Sequence, residues 1–194
     1  MLINNKNFKT IWYDQISDNV QIIDQTKLPF HLEVVSLQNL NDVLTAIKDM
    51  KVRGAPLIGA TAAFGIYLAC KEDNSIERIN EAAIKIKKTR PTAVNLFWAV
   101  DRMVSKLNSN KTIKYNKDVL LEEAKKICKE DIEKCKKIGQ NGLSLIKKVA
   151  SKKSEVNILT HCNAGWLATV DWGTATAPIY YARDNNINVH VWVD

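Results

Sequence analysis

The sequence has no C-x-x-C pair. Its four cysteines, Cys70, Cys128, Cys135 and Cys162, lie far apart, the nearest two seven residues apart, whereas structural zinc and dithiol redox sites favour tightly spaced pairs. They read as reduced thiols, with no metal or disulfide framework. A hydrophobic leader is missing too, because Met1 to Lys9 is polar. Long apolar runs are also lacking: the longest, Ala55 to Cys70, is interrupted by Gly59, Thr61 and Gly65 and falls short of a membrane span. A cytoplasmic protein without a membrane partner is expected. Arginine and aromatics are scarce where the positive charge is densest. The stretch Lys111 to Lys153 has no arginine and only Tyr115 as an aromatic, and its lysines are interleaved with acids from Asp118 to Glu133. A solvated helical face fits this pattern better than a nucleic-acid surface. What remains is the composition of a folded domain or two: 194 residues, 46% hydrophobic and 25% charged, with a formal net charge of +7.

Along the chain, Thr10 to Tyr13, Val20 to Ile23 and His31 to Leu37 are short β-prone runs between Asp, Asn and Pro turn signals, which predicts a small antiparallel sheet. From Asn39 onward Leu40, Val43, Leu44, Ile47 and Met50 recur at helical spacing behind a good capping residue. The segment Leu57 to Cys70, which follows Arg53-Gly54-Ala55-Pro56, is apolar on nearly every side and predicts a buried helix. Further helices are expected over Ile76 to Lys88, Ala93 to Leu107 and Asp118 to Ala150, the last broken near Gly139 and Gly142. Composition changes at Lys152-Lys153-Ser154. A strand over Val156 to Thr160, a helical stretch from Gly173 to Arg183 and a strand over Val189 to Val193 then form a parallel βαβ unit. The expected fold class is α/β, with a mostly helical amino-terminal domain carrying a small antiparallel sheet (1–150) and an incomplete parallel α/β domain (151–194). A single crossover cannot bury a parallel sheet on both faces, so more strands are expected beyond Asp194.

Ligands in open α/β sheets sit at the carboxyl ends of the strands, where helix amino termini attract anions. Cys162, in the loop His161-Cys162-Asn163-Ala164-Gly165, occupies that place. A thiol there can serve proton transfer or nucleophilic chemistry, or it can be a buried inert residue, and His161 can equally be structural. Cys70, Cys128 and Cys135 lie in predicted helices as ordinary core or surface residues. Arg53-Gly54-Ala55 is the second candidate. Glycine lets backbone approach a ligand, the arginine fork matches phosphate oxygens, and a helix starts immediately after. Arg90 before Pro91-Thr92 repeats the arrangement, so that two arginines at two helix starts make a phosphate clamp.

Three segments resemble signatures of the methylthioribose-1-phosphate isomerases: Val52-Arg53-Gly54-Ala55-Pro56-Leu57-Ile58-Gly59; Thr89-Arg90-Pro91-Thr92-Ala93-Val94-Asn95-Leu96; and Thr160-His161-Cys162-Asn163-Ala164-Gly165 with Leu167-Ala168-Thr169 and Gly173-Thr174-Ala175. The opening, with Ile22-Ile23-Asp24-Gln25 and Lys27-Leu28-Pro29, is similar as well. The resemblance implies a helical domain followed by a Rossmann-like one and a family activity of aldose-ketose isomerisation in methionine salvage. It also implies a homodimer, a sugar phosphate as ligand, and no metal or organic cofactor. By motif, Cys162 would be catalytic and Arg53, Gly54, Ala55 and Arg90 would bind the sugar phosphate. The family's catalytic aspartate has no counterpart here, and Asp194 resembles instead the first residue of an Asp-Glu-Thr-Arg-Pro stretch. The polypeptide alone is therefore expected to have little activity. Relatives acting on 5-deoxyribose 1-phosphate or ribose 1,5-bisphosphate, a non-catalytic subunit like those of translation initiation factor 2B, and a plain interaction module are the alternatives.

Overall fold

The structure is a computed structural model describing residues 1–3, 5–108 and 117–194. It opens with a two-residue pair, β1 (Leu2–Ile3) and β2 (Lys6–Asn7), and continues into three antiparallel strands, β3 (Ile11–Asp14), β4 (Asn19–Ile23) and β5 (Val34–Leu37), in the order β3-β4-β5. Ile11 pairs with Ile22 and Val20 with Leu37, so alternate residues present a buried apolar face to the helices. The first pair was not expected from the polar opening, and the third strand is shorter than the β-prone run His31 to Leu37.

Helix α1 (Leu40–Lys48) starts where the Asn39 side chain accepts from the Asp42 backbone N–H, and buries Leu40, Val43, Ala46 and Ile47. Helix α2 (Ala55–Glu72) is buried continuously from Leu57 to Cys70 because it is enclosed by α1, by α3 (Ile76–Thr89), by α4 (Val94–Asn108) and by α5 (Lys117–Ala150). This explains a sequence that is apolar all round: between Leu57 and Cys70 no face of α2 meets water. Helix α3 is capped by Ser75, which accepts from the Arg78 N–H.

Helix α5 is one unbroken 34-residue element, which corrects the break expected at Gly139 and Gly142. Those glycines serve close packing. A Cβ on Gly139 would lie 2.4 Å from the Tyr181 ring, and one on Gly142 would lie 2.4 Å from the Pro178 ring, both residues of α6 (Ala177–Asp184). The helix expected from Gly173 begins only at Ala177. Gly173 has φ +75°, and Thr176, two residues before Pro178, ends the turn that follows.

Strands β6 (Val156–Thr160) and β7 (Val189–Val193) are parallel and in register from Val156↔Val189 to Thr160↔Val193, with α6 as the crossover. One face packs Val156, Ile158 and Val189 against Ile146, Ala182 and their neighbours from α5 and α6. The other face carries the exposed side chains of Asn157, Leu159, His190 and Trp192. Among the described residues no helix is long and apolar enough to cross a membrane.

Helices α4 and α5 are joined by charge. Arg102 holds Glu130 through two hydrogen bonds of 2.6 and 3.0 Å and Glu123 through one of 2.7 Å, and its guanidinium lies over Trp98. Glu123 is buried, and Lys106 stands 3.7 Å from it. Hydrogen bonding to Glu130 and Glu123 raises the Arg102 pKa, and hydrogen bonding to Arg102 lowers that of Glu130. Removing the guanidinium leaves a buried carboxylate short of its main partner, a change that costs on the order of 3 kcal/mol. Arg102→Met should lower the urea midpoint accordingly, and Arg102→Met with Glu123→Gln should recover part of the loss.

Candidate functional site

The segment after β6 shapes the site. It crosses from the strand to a 3-10 turn (Trp166–Ala168) and on to α6, and it is pinned to the rest of the molecule from several directions. The Thr10 hydroxyl, fully buried, donates to the Thr169 carbonyl at 2.5 Å, and the Thr10 N–H donates to the Val170 carbonyl at 3.1 Å. Gln25 donates to the Leu167 carbonyl at 2.7 Å. The Asp131 carboxylate of α5 accepts from the Val170 N–H at 2.8 Å, while burial raises its pKa. The start of α2 closes the set. Gly54 has φ +91°, a conformation open to glycine, and a Cβ there would lie 2.4 Å from the Ala168 Cα. No other residue fits that contact.

These constraints bring distant parts of the chain to one open cleft of about 450 Å³, lined among others by Arg53, Gly54, Ala55, Arg90, Cys162 and Asn163. All five residues singled out in the sequence are therefore neighbours in space, although they come from three separate segments. Arg53 is exposed on the approach to α2, and Arg90 is half-buried at the cap that ends α3. The amino terminus of α2 has no side-chain cap: Gly54 is its N-cap and Pro56 stands in its first turn. Its first N–H groups and the positive end of its dipole are thus free of any competing protein acceptor from a capping side chain. Two guanidinium groups beside such a helix start suit a phosphate or another compact dianion.

Cys162 is exposed, not buried, and it sits in the left-handed region at φ +69°. The turn that carries it is closed by the Ala164 N–H donating to the Cys162 carbonyl at 3.0 Å, and the Thr174 N–H donates to the Ala164 carbonyl at 3.3 Å. A residue other than glycine held at positive φ is a conformation that functional loops often retain. The other three cysteines differ. Burial pushes the Cys128 and Cys135 thiols up to about 12 and raises that of Cys70. His161 turns away to the rim, where its Nδ1 lies 2.8 Å from Asp194 Oδ2, both side chains being exposed. It does not line the cleft.

The cleft also uses Met50, Thr92, Ala168, Thr169 and Thr174, which the sequence reading left without a role. Most of them fall inside or beside the quoted motifs, and that placement was the available signal. Among the described residues three buried polar atoms have no hydrogen-bond partner, Thr160 Oγ1, Trp166 Nε1 and Thr176 Oγ1, and all belong to the same segment. Among the described residues the cleft is lined by no carboxylate, and no group of three or more His, Cys, Asp or Glu could hold a metal ion.

A helical layer with a small antiparallel sheet, followed by parallel strands with an anion-ready cleft at their carboxyl ends, is the architecture of a known class. The chain belongs to the Initiation factor 2 subunit family, which residues 51–194 match. It is 51% identical, over its whole length and 53% of the relative's, to a methylthioribose-1-phosphate isomerase of Escherichia coli O45:K1. A second protein of that name, from Rhizobium meliloti, is 48% identical over the whole chain and 54% of its own length. Among solved structures, 5-methylthioribose 1-phosphate isomerase from Pyrococcus horikoshii OT3 superposes with a TM-score of 0.84 at 35% identity, covering 97% of this chain and 53% of that one. The delta subunit of translation initiation factor eIF-2B from A. fulgidus gives 0.81 at 37% identity, covering 96% of this chain and 54% of that one. The chain thus spans about half the length of the relatives it matches.

Exposure separates the thiols. With native protein and limiting iodoacetamide near neutral pH, Cys162 should be alkylated at least about tenfold faster than Cys70, Cys128 or Cys135, because it is accessible and they are shielded or held as thiols. Peptide mass spectrometry of the alkylated sites reads this directly.

Proposed function

We propose that the cleft is the part of an aldose-ketose isomerase site that holds the sugar phosphate, and that its ligand is 5-methylthioribose 1-phosphate, converted in the complete enzyme to 5-methylthioribulose 1-phosphate. The observation that carries this reading is the meeting of Arg53, Arg90 and Cys162 around the uncapped start of α2. In this reading Arg53 and Arg90 clamp the phosphate oxygens. The Gly54–Ala55 backbone approaches the same group, and Cys162 is the catalytic residue that exchanges a proton with the sugar carbons.

The chemistry explains why such a site is needed. A phosphate on the anomeric oxygen blocks spontaneous ring opening, so placed acid and base groups must assist the opening and then move hydrogen from carbon 2 to carbon 1. One thiol can serve one end of that transfer. A second proton-transfer group is required, and the described lining offers no carboxylate for it. The reading includes two structural units, 1–150 and 151–194, a cytoplasmic setting, a homodimer and no nucleic-acid partner. The names of the isomerase relatives, at 48–51% identity, support methylthioribose 1-phosphate over its 5-deoxy and 5-phospho analogues. A non-catalytic role like that of an initiation-factor subunit is less favoured, since such a subunit has no need of Cys162 beside two arginines.

Calorimetric titration tests the binding step. Methylthioribose 1-phosphate should bind, free methylthioribose should bind at least about tenfold more weakly, and Arg53→Met or Arg90→Met should each lose on the order of tenfold, about 1.4 kcal/mol. Equal affinity for the phosphorylated and free sugars would sink the reading. In a ketose-detecting assay the 194-residue chain should turn over far more slowly than a full-length relative, and turnover at the relative's rate would overturn the requirement for a second group.

A further inference from the structure

A second concavity lies against the same loop but shares no lining residue with the Cys162 cleft. It runs between β3 and α5 as two adjoining hollows of about 710 and 480 Å³ that have Lys9, Trp12, Tyr13 and Lys136 in common. Ala168, Thr169 and Thr174 face the first cleft, whereas Asp171 and Trp172 face this one.

Its walls combine flat rings with positive charge. Trp12 is edge-on to Phe8, with centroids 6.4 Å apart, and Trp172 is stacked at 4.7 Å on Tyr181. Trp172 holds φ +73°, an outlier for a bulky side chain, and the loop around it is locked by the Gly173 N–H donating to Thr169 Oγ1 and by the Trp172 N–H donating to Asp171. With one face packed on Tyr181, the Trp172 ring is held in a fixed place as part of the wall of the hollow. The cations outnumber the acids. Of the two carboxylates in the lining, Asp171 is taken by the Met1 amine at 2.9 Å and Glu133 stands 3.9 Å from Lys129. Lys125 is 2.9 Å from Glu122, outside the hollow. Among the described residues Lys9 and Lys136 have no carboxylate within 4.0 Å, and the Lys136 ammonium lies over the Trp172 ring, 5.9 Å from its centre.

We infer that this hollow is a second ligand site, separate from the sugar-phosphate cleft, for a planar aromatic molecule carrying one carboxylate or phosphate: the ring packs among Trp12, Tyr13 and Trp172 and the anion is met by Lys9 and Lys136. Ring stacking alone is tolerant of identity, and the paired lysines supply the selection for negative charge. The combination excludes neutral aromatics and simple inorganic anions as good ligands, because each uses half of the site.

Equilibrium dialysis of the whole chain with 2-naphthoate, 1-naphthyl phosphate, 2-naphthalenemethanol and inorganic phosphate tests the inference. At least one of the two aromatic anions should bind about tenfold or more tightly than the alcohol and than phosphate, and which of the two binds better identifies the acidic group preferred. The double variant Lys9→Gln, Lys136→Gln removes only exposed ammonium groups. It should weaken that binding about tenfold while leaving the circular dichroism unchanged, whereas Arg53→Met with Arg90→Met should leave it as it was. Equal binding of the neutral alcohol, equal binding of phosphate, or loss of binding in the arginine variant instead of the lysine variant would each overturn the inference.

Discussion

The contact between Gly54 and Ala168 is the constraint on which the site depends. It presses the amino terminus of the central helix against the loop that follows β6, at a distance that leaves no room for a Cβ. Helix α2 cannot shift to relieve the contact, because Leu57 to Cys70 are enclosed by four other helices. The position of the helix start is therefore fixed by the core, and the loop must come to it. The hydrogen bonds from Thr10 and Gln25 and to Asp131 then hold the loop where the core has placed its docking point. Apolar burial, which is non-directional, supplies the force, and one glycine converts it into a defined geometry.

The same logic separates the four thiols. Three of them belong to helices that build the core, and burial keeps their protons on. The fourth lies in a loop whose backbone is tied down while its side chain is left open. Rigid backbone with an accessible side chain is the combination that positioning for chemistry requires.

Much of this order was legible in the sequence because it rests on periodicity. Helix α2 declared itself by being apolar on every side, α1 by its spacing behind Asn39, and the parallel strand pair by two β-rich runs flanking a helix. The failures have physical causes. Gly139 and Gly142 read as a break because a glycine in a helix is either a weak point or a place where another chain segment comes close, and only the partner, α6, decides between them. The pair β1 and β2 is too short to have a period. The residues Arg53, Gly54, Ala55, Arg90 and Cys162 stood out by local motif, but nothing local says that segments so far apart share one cleft. Asp131 was invisible for a different reason: on a helix dense in lysine and acid it looks like one more solvated charge, and its bond to the Val170 N–H depends on a segment some forty residues away.

The unbroken course of α5 has a mechanical consequence. At about 1.5 Å per residue its 34 residues make a strut of roughly 50 Å. Its first half is built into the core around α2, and its second half carries α6 and, through it, the parallel strands. Such a rod has no joint at which β6 and β7 could swing toward the arginines. What it does have is a pair of notches, at Gly139 and Gly142, in which the Tyr181 and Pro178 rings of α6 are seated. Those rings key α6 to the rod, so sliding of one helix along the other is opposed as well as hinging, and the parallel strands are carried by α5 as a fixed bracket.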